Sequence, residues 1–221
     1  MLLSLLNSKQ KLVAASAIVA ILASLLYIYR TEFHLPDINV PLQESVGQAM
    51  ADETARLLGK SGNIVVVATD LSRVPELKIQ LQAFQKHLKS LGAINIAETL
   101  TLDPGEDLKY RPGAGLSAKR FLKIVRKHQH ADAIVSFVGA PHLTDTDFAQ
   151  LKSTPKLVAE THSPEKLEAL LDKKILLAAV VPRFEFPAPG PRSPHSRPEW
   201  FDRYFQIIGP GKDLPKPDEL Q

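Results

Sequence analysis

The chain contains no cysteine. That excludes disulfides, thiolate metal sites and cysteine nucleophiles, and leaves the compartment open. Neither G-x-S-x-G nor H-E-x-x-H occurs, so the serine-hydrolase elbow and the zinc-protease helix are absent. An excess of one charge is also missing. Lys and Arg number 27 against 24 Asp and Glu, and the net +3 over 221 residues is too small to imply nucleic acid. Hydrophobic residues make up 44% and charged residues 23%. Such a composition suits one α/β domain of about 150 residues with appendages. Proline is plentiful by contrast: 17 in all, clustered between Pro182 and Pro198 and again near the end.

One long apolar run is present. Leu12 to Tyr29 carries no charge, with Lys9 and Lys11 before it and Arg30 after. At ~1.5 Å per residue, about 18 residues just cross a ~30 Å hydrocarbon core. Tyr27 and Tyr29 stand where an interfacial aromatic belt would lie. A cleaved signal peptide needs a small-x-small site after its apolar run, whereas Ala15-Ser16-Ala17 falls inside this one. The sequence therefore predicts an uncleaved single-pass anchor in the inner membrane. The lysine pair on the amino-terminal side favours a cytoplasmic amino terminus and a periplasmic bulk. Ser16, Ala20 and Ser24 repeat at a spacing of four, which lets the helix of another subunit approach closely.

Beyond a connector, Leu42 to Lys60 reads as an amphipathic helix carrying Val46, Met50, Leu57 and Leu58 on one side. Gly59-Lys60-Ser61 is not a phosphate loop. Thr54 occupies the required glycine position, and the pair precedes a strand instead of following one. Asn63 to Asp70 is a continuous β-branched run, the pattern of a parallel strand covered on both faces. Further strands are predicted over Ile94–Leu102, Ala131–Gly139, Lys156–Thr161 and Ile175–Val181, with helical patterns between them. The fold class is α/β: a single doubly wound, mainly parallel five-stranded sheet, in the flavodoxin-like order 2-1-3-4-5, preceded by one transmembrane helix. The predicted domains are an anchor at 1–30, a connector and amphipathic helix at 31–61, the α/β domain at 62–183, and a Pro-rich and aromatic carboxyl-terminal part at 184–221. Trp200, Phe201, Tyr204 and Phe205 concentrate four aromatics in that last part, which is predicted to add an edge strand or to dock on a partner, buried against its own sheet or a neighbouring chain.

The strings NIVVVATD (first strand), ADAIVSFVGAPHL (third strand and its turn) and KILLAAVVPR (fifth strand) carry a resemblance. From Gly62 to Arg183 the chain resembles one lobe of the type I periplasmic binding proteins. That resemblance implies a Rossmann-like α/β fold. It also implies a role beside transporters or receptors, in a family that binds ligand between two such lobes.

In open α/β sheets, ligands bind beyond the carboxyl ends of the strands, at the switch point. Asp70, Ser72 and Arg73 would follow the first strand there, and Gly139, Pro141 and His142 the third. His162 would follow the fourth and Arg183 the fifth. Gly113-Ala114-Gly115-Leu116-Ser117-Ala118 matches a relaxed dinucleotide fingerprint, but it follows a loop and not a strand, so it reads as a loop capped by glycines. His128-Gln129-His130 lies at a helix end, where the dipole favours cations without any metal. Lys119, Arg120, Lys123, Arg126 and Lys127 share one helix face that could meet anionic headgroups or an acidic partner. The expected role is a non-enzymatic, membrane-anchored accessory subunit of a larger membrane complex. Its partners would be other membrane-protein subunits and the lipid bilayer, with no cofactor, metal or nucleic acid. The alternative is a ligand-binding or sensing module related to transporter substrate-binding proteins.

Overall fold

In the computed structural model, residues 8–32, 38–59, 61–72, 74–102, 115–151, 156–164, 167–183 and 194–211 are described. The chain divides into two units between Ile38 and Asn39. The first holds one helix, α1 (Ser8–Glu32). Its large apolar side chains face outward; Val19 and Leu22, for example, are 65% and 60% exposed. Among the described residues, no helix is long and apolar enough to cross a membrane. The anchor expected from Leu12 to Tyr29 therefore rests on the sequence, and the structure does not show it.

The second unit is one six-stranded sheet with helices on both faces. In chain order it comprises α2 (Val40–Leu58), β1 (Ser61–Thr69), α3 (Pro75–Leu91), β2 (Ala93–Leu102), α4 (Ala118–Lys127), β3 (Ala133–Ser136) and α5 (Asp145–Phe148). β4 (Lys156–Glu160), α6 (Glu168–Asp172), β5 (Leu176–Pro182), α7 (Arg197–Tyr204) and β6 (Phe205–Ile208) complete it. The sheet order is β2-β1-β3-β4-β5-β6. The first five strands are parallel, in the order the sequence predicts, and β6 adds an antiparallel edge beside β5. This sixth strand is the difference from the expected five.

β1 is central for the reason its composition suggests. Ile64 to Val67 are wholly buried and alternate between two cores. Ile64 and Val66 point to the core under α2 and α3, where Phe84 and Phe137 meet edge to face at 5.4 Å. Val65 and Val67 point to the core under α4 and α6, with Phe121, Leu170 and Leu176. Each such side chain contributes roughly 1.5–3 kcal/mol by burial.

β2 carries a bulge. Its register against β1 jumps from Ile64↔Ile96 to Val65↔Glu98, leaving Ala97 as the extra residue. A bulge reverses the faces beyond it. Ile94 and Ile96 accordingly pack on the first core, whereas Leu100 and Leu102 pack on the second. Glu98 turns to the α4 side by the same shift.

α2 belongs to the α/β unit. Asn39 caps it by accepting from the Leu42 amide at 3.1 Å, and Gly59 closes it in the left-handed conformation at φ 65°. Val46, Met50 and Ala51 are fully buried in the first core. The aromatic segment is equally part of the fold. Phe201 and Phe205 stack at 5.9 Å within that core.

Candidate functional site

The carboxyl ends of β1, β3, β4 and β5 share one edge of the sheet. Asp70 follows β1 and accepts from the Ser72 amide at 3.0 Å and from its hydroxyl at 2.7 Å, a tight Asx turn. Arg73 lies outside the described residues. After β3, Ser136 donates its hydroxyl to the Gly139 carbonyl at 2.7 Å and fixes the turn that leads to the exposed His142. His142 sits beside Asp147. The Thr144 hydroxyl and amide, and then that imidazole, hold the Asp147 carboxyl below its ordinary range. Arg183, after β5, donates its Nε to the Phe205 carbonyl at 3.0 Å and is half-buried. The structure thus places Asp70, Ser72, His142, His162 and Arg183 on one edge, and it engages Ser72 and Arg183 in local turns and strand pairing.

The glycines at this edge are packed and not open. Gly139, at φ 98°, lies against Gly115, so that a Cβ on Gly139 would stand 2.6 Å from the Gly115 Cα. Gly115 itself has φ 76° and abuts the Ala140 carbonyl. Both positions need left-handed backbone and a missing side chain. Gly113 and Ala114, the start of the relaxed fingerprint, lie outside the described residues.

The most unusual group at the edge was not singled out by the sequence. Glu160 ends β4 and is only 7% exposed. The Gln80 amide of α3 donates to it at 3.1 Å and to the Gln43 side-chain oxygen of α2 at 2.7 Å. Burial pushes the Glu160 carboxyl up to about 7, against a smaller downward pull from the Gln80 hydrogen bond. His162 stands 4.0 Å away. Desolvation lowers the His162 pKa, although 58% of its side-chain surface is exposed, so solvent screens the effect. One signal pointed to Glu160: it lies two residues beyond Val158 in a strand, and so on the same buried face.

The helix cations are less free than the sequence suggests. Lys127 donates to both Glu98 oxygens at 2.9 and 3.1 Å, a partner supplied by the bulged strand. His128 approaches the same carboxylate at 3.4 Å without hydrogen-bond alignment. Arg126 donates to Gln150 at 2.8 Å. Lys119 and Lys123 remain exposed. In the aromatic segment, Phe201 and Phe205 are buried in the chain's own core. Trp200 and Tyr204 stack at 5.9 Å and are half-buried. In α1, the Ser16 hydroxyl donates to the Val13 carbonyl at 2.9 Å, and Ala20 and Ser24 are exposed on the same helix. Among the described residues, no three His, Asp or Glu converge as metal ligands.

No family model matches the chain, and no curated protein matches it. Solved structures do. The XylFII molecule has a TM-score of 0.50 at 14% identity, over 76% of this chain and 60% of its own. An ABC-transporter solute-binding protein from Burkholderia graminis C4D1M, in complex with D-arabinose, has a TM-score of 0.46 at 19% identity, over 63% of this chain and 47% of its own. AraP, an arabinose-binding protein from Geobacillus stearothermophilus, has a TM-score of 0.46 at 15% identity, over 63% of this chain and 45% of its own. The chain spans about half the length of the solved structures it matches. At such identities the likeness is one of fold alone.

Proposed function

We propose that the α/β unit is a ligand-binding or sensing module built on one lobe of the periplasmic-binding fold. The observation that carries this reading is the polar edge at the carboxyl ends of the strands. There Asp70 and Ser72 form a carboxylate–hydroxyl pair in a tight turn, and His142 and His162 offer exposed imidazoles. A small molecule with both donor and acceptor groups, such as a neutral sugar, suits that mixture better than a uniformly charged ligand. The amino-terminal helix carries the module at a membrane in this reading, because Leu12 to Tyr29 is uncharged and its described apolar side chains face outward. The module is a binder and not an enzyme.

The test is calorimetric titration of the full chain, in mild detergent, with a panel of pentoses, hexoses and small carboxylic acids. Asp70→Ala with His142→Ala should abolish any binding found while leaving the unfolding curve in place. If no member of the panel binds, and the double variant is silent while Trp200→Ala releases a co-purifying membrane subunit, the ligand reading falls. The accessory-subunit reading then takes its place.

A further inference from the structure

The groups around Glu160 do more than satisfy a buried carboxyl. α2 and α3 touch where Gly47 faces the main chain of Gln80, and a Cβ there would collide with the Gln80 carbonyl oxygen. The same Gln80 sends its side-chain amide to Gln43, in the first turn of α2, and to Glu160, at the end of β4. One residue of α3 therefore ties a helix that precedes the sheet to a carboxyl on the strand edge. A second tie joins the same turn to α7: Arg197 meets Glu44 at 2.8–3.0 Å. α2 begins next to the boundary between the two units of the chain.

We propose that Gln43, Gln80 and Glu160 form a proton-operated clasp that holds the first turn of α2 on the sheet. The buried carboxyl is bonded by Gln80, which Gln43 holds in turn, so lifting the first turn of α2 frees that amide and wets Glu160. A wetted carboxyl returns to its ordinary pKa near 4.5, below its value of about 7 in the closed form. Closed clasps therefore hold a proton that open ones release. Opening becomes easier as pH rises from about 4.5 to about 7, and its pH dependence ends above that point, where both forms are ionised. The other charged groups at this edge are accounted for. His162, on the segment leaving β4, is within 4.0 Å. Glu76 lies one turn before Gln80 on α3. Glu44 of α2 is paired with Arg197 of α7. Asp70 after β1 accepts from Ser72, and Arg183 after β5 is bound to the Phe205 carbonyl. This inference does not depend on ligand binding.

The experiment is amide hydrogen exchange of the full chain in mild detergent between about pH 5 and pH 8, with rates corrected for intrinsic exchange. Protection of residues 42–47 should fall as pH rises to about 7, by no more than about tenfold per pH unit because one proton is linked, and then level off. Protection of β1 should stay flat. Glu160→Gln keeps the shape and removes the carboxyl's titration, so in a His162→Gln background its profile over residues 42–47 should be flat. Gln43→Ala leaves the carboxyl intact and should lower protection of residues 42–47 at every pH. An unchanged slope in Glu160→Gln, a parallel loss in β1, or full protection in Gln43→Ala would each overturn the clasp.

Discussion

Gly47→Ala sets two physical effects against each other. Within a helix, alanine is favoured over glycine by about 1 kcal/mol, so propensity alone predicts a more stable protein. The structure predicts the reverse. Gly47 is buried in α2, and the group its new methyl would strike is the Gln80 backbone carbonyl. A flexible side chain could swing aside, but a helical carbonyl cannot. The Ala83 methyl is a further 3.0 Å neighbour, so no open side is available on α3. The two helices must separate, at an overpacking cost of typically about 1–3 kcal/mol. Separation also stretches the 2.7 Å Gln80–Gln43 hydrogen bond, whose loss costs about 1 kcal/mol. With the propensity gain subtracted, the net destabilisation is about 1–3 kcal/mol. For a unit of this size that lowers Tm by about 2–12 °C. Urea and thermal unfolding of the full chain in detergent would measure it. Trimming Ala83 to Gly in the same chain should recover little, because the principal obstacle is backbone. A Gly47→Ala protein more stable than its parent would refute the close crossing of α2 and α3.

Three further outcomes follow from named contacts. Val66→Asp places an unpaired carboxylate at a fully buried position of the central strand; the cost is several kcal/mol, and near-UV circular dichroism should show loss of cooperative unfolding. Glu160→Gln should match the parent near pH 4.5 and exceed it above pH 7. A raised folded pKa gives stability that is present in acid and lost as pH rises through about 7, at most about 3 kcal/mol over the window; His162, lowered in the fold, gives an opposite slope, so the comparison belongs in a His162→Gln background. Gly139→Ala adds a methyl at φ 98°, against the Gly115 Cα at 2.6 Å, and should cost about 1–3 kcal/mol in urea unfolding.

The parallel sheet was legible because its strands are continuous apolar runs. Val65, Val66 and Val67 could hardly sit anywhere but between two layers. The bulge at Ala97 was not legible. Ile94, Ile96, Glu98, Leu100 and Leu102 alternate perfectly in sequence, and alternation predicts a single face. Only the register against β1 reveals that the last three turn to the other side and bring Glu98 to Lys127. The strand-end residues were found because topology alone fixes which residues follow a parallel strand. Glu160 escaped notice because its partner Gln80 lies 80 positions away, and Gln43, the partner of Gln80, a further 37, and neutral amides give no charge pattern to read.

The two segments set apart in the sequence as connector and tail follow from the handedness of the sheet. Right-handed crossovers send the β1–β2 connection to one face and the β3, β4 and β5 connections to the other. In the observed order, α4 and α6 line the second core, whereas among the described residues α3 is the sole crossover helix over the first. One helix cannot cover six strands. Val158, Ala178 and Val180 would face water on that side. α2, which touches β1, β3, β4 and β5, and α7, which packs on α2 and β6, supply the missing layer. That need explains why Met50 and Phe201 are buried although neither belongs to the βαβ alternation. It also bounds what can be cut away. A chain trimmed to 62–183 keeps every parallel strand yet uncovers the first core and removes Gln43 from the Glu160 network. It should be recovered unfolded or aggregated, whereas 39–221 should unfold cooperatively. Cooperative unfolding of 62–183 alone would show that α2 and α7 are accessories to the fold and not part of it.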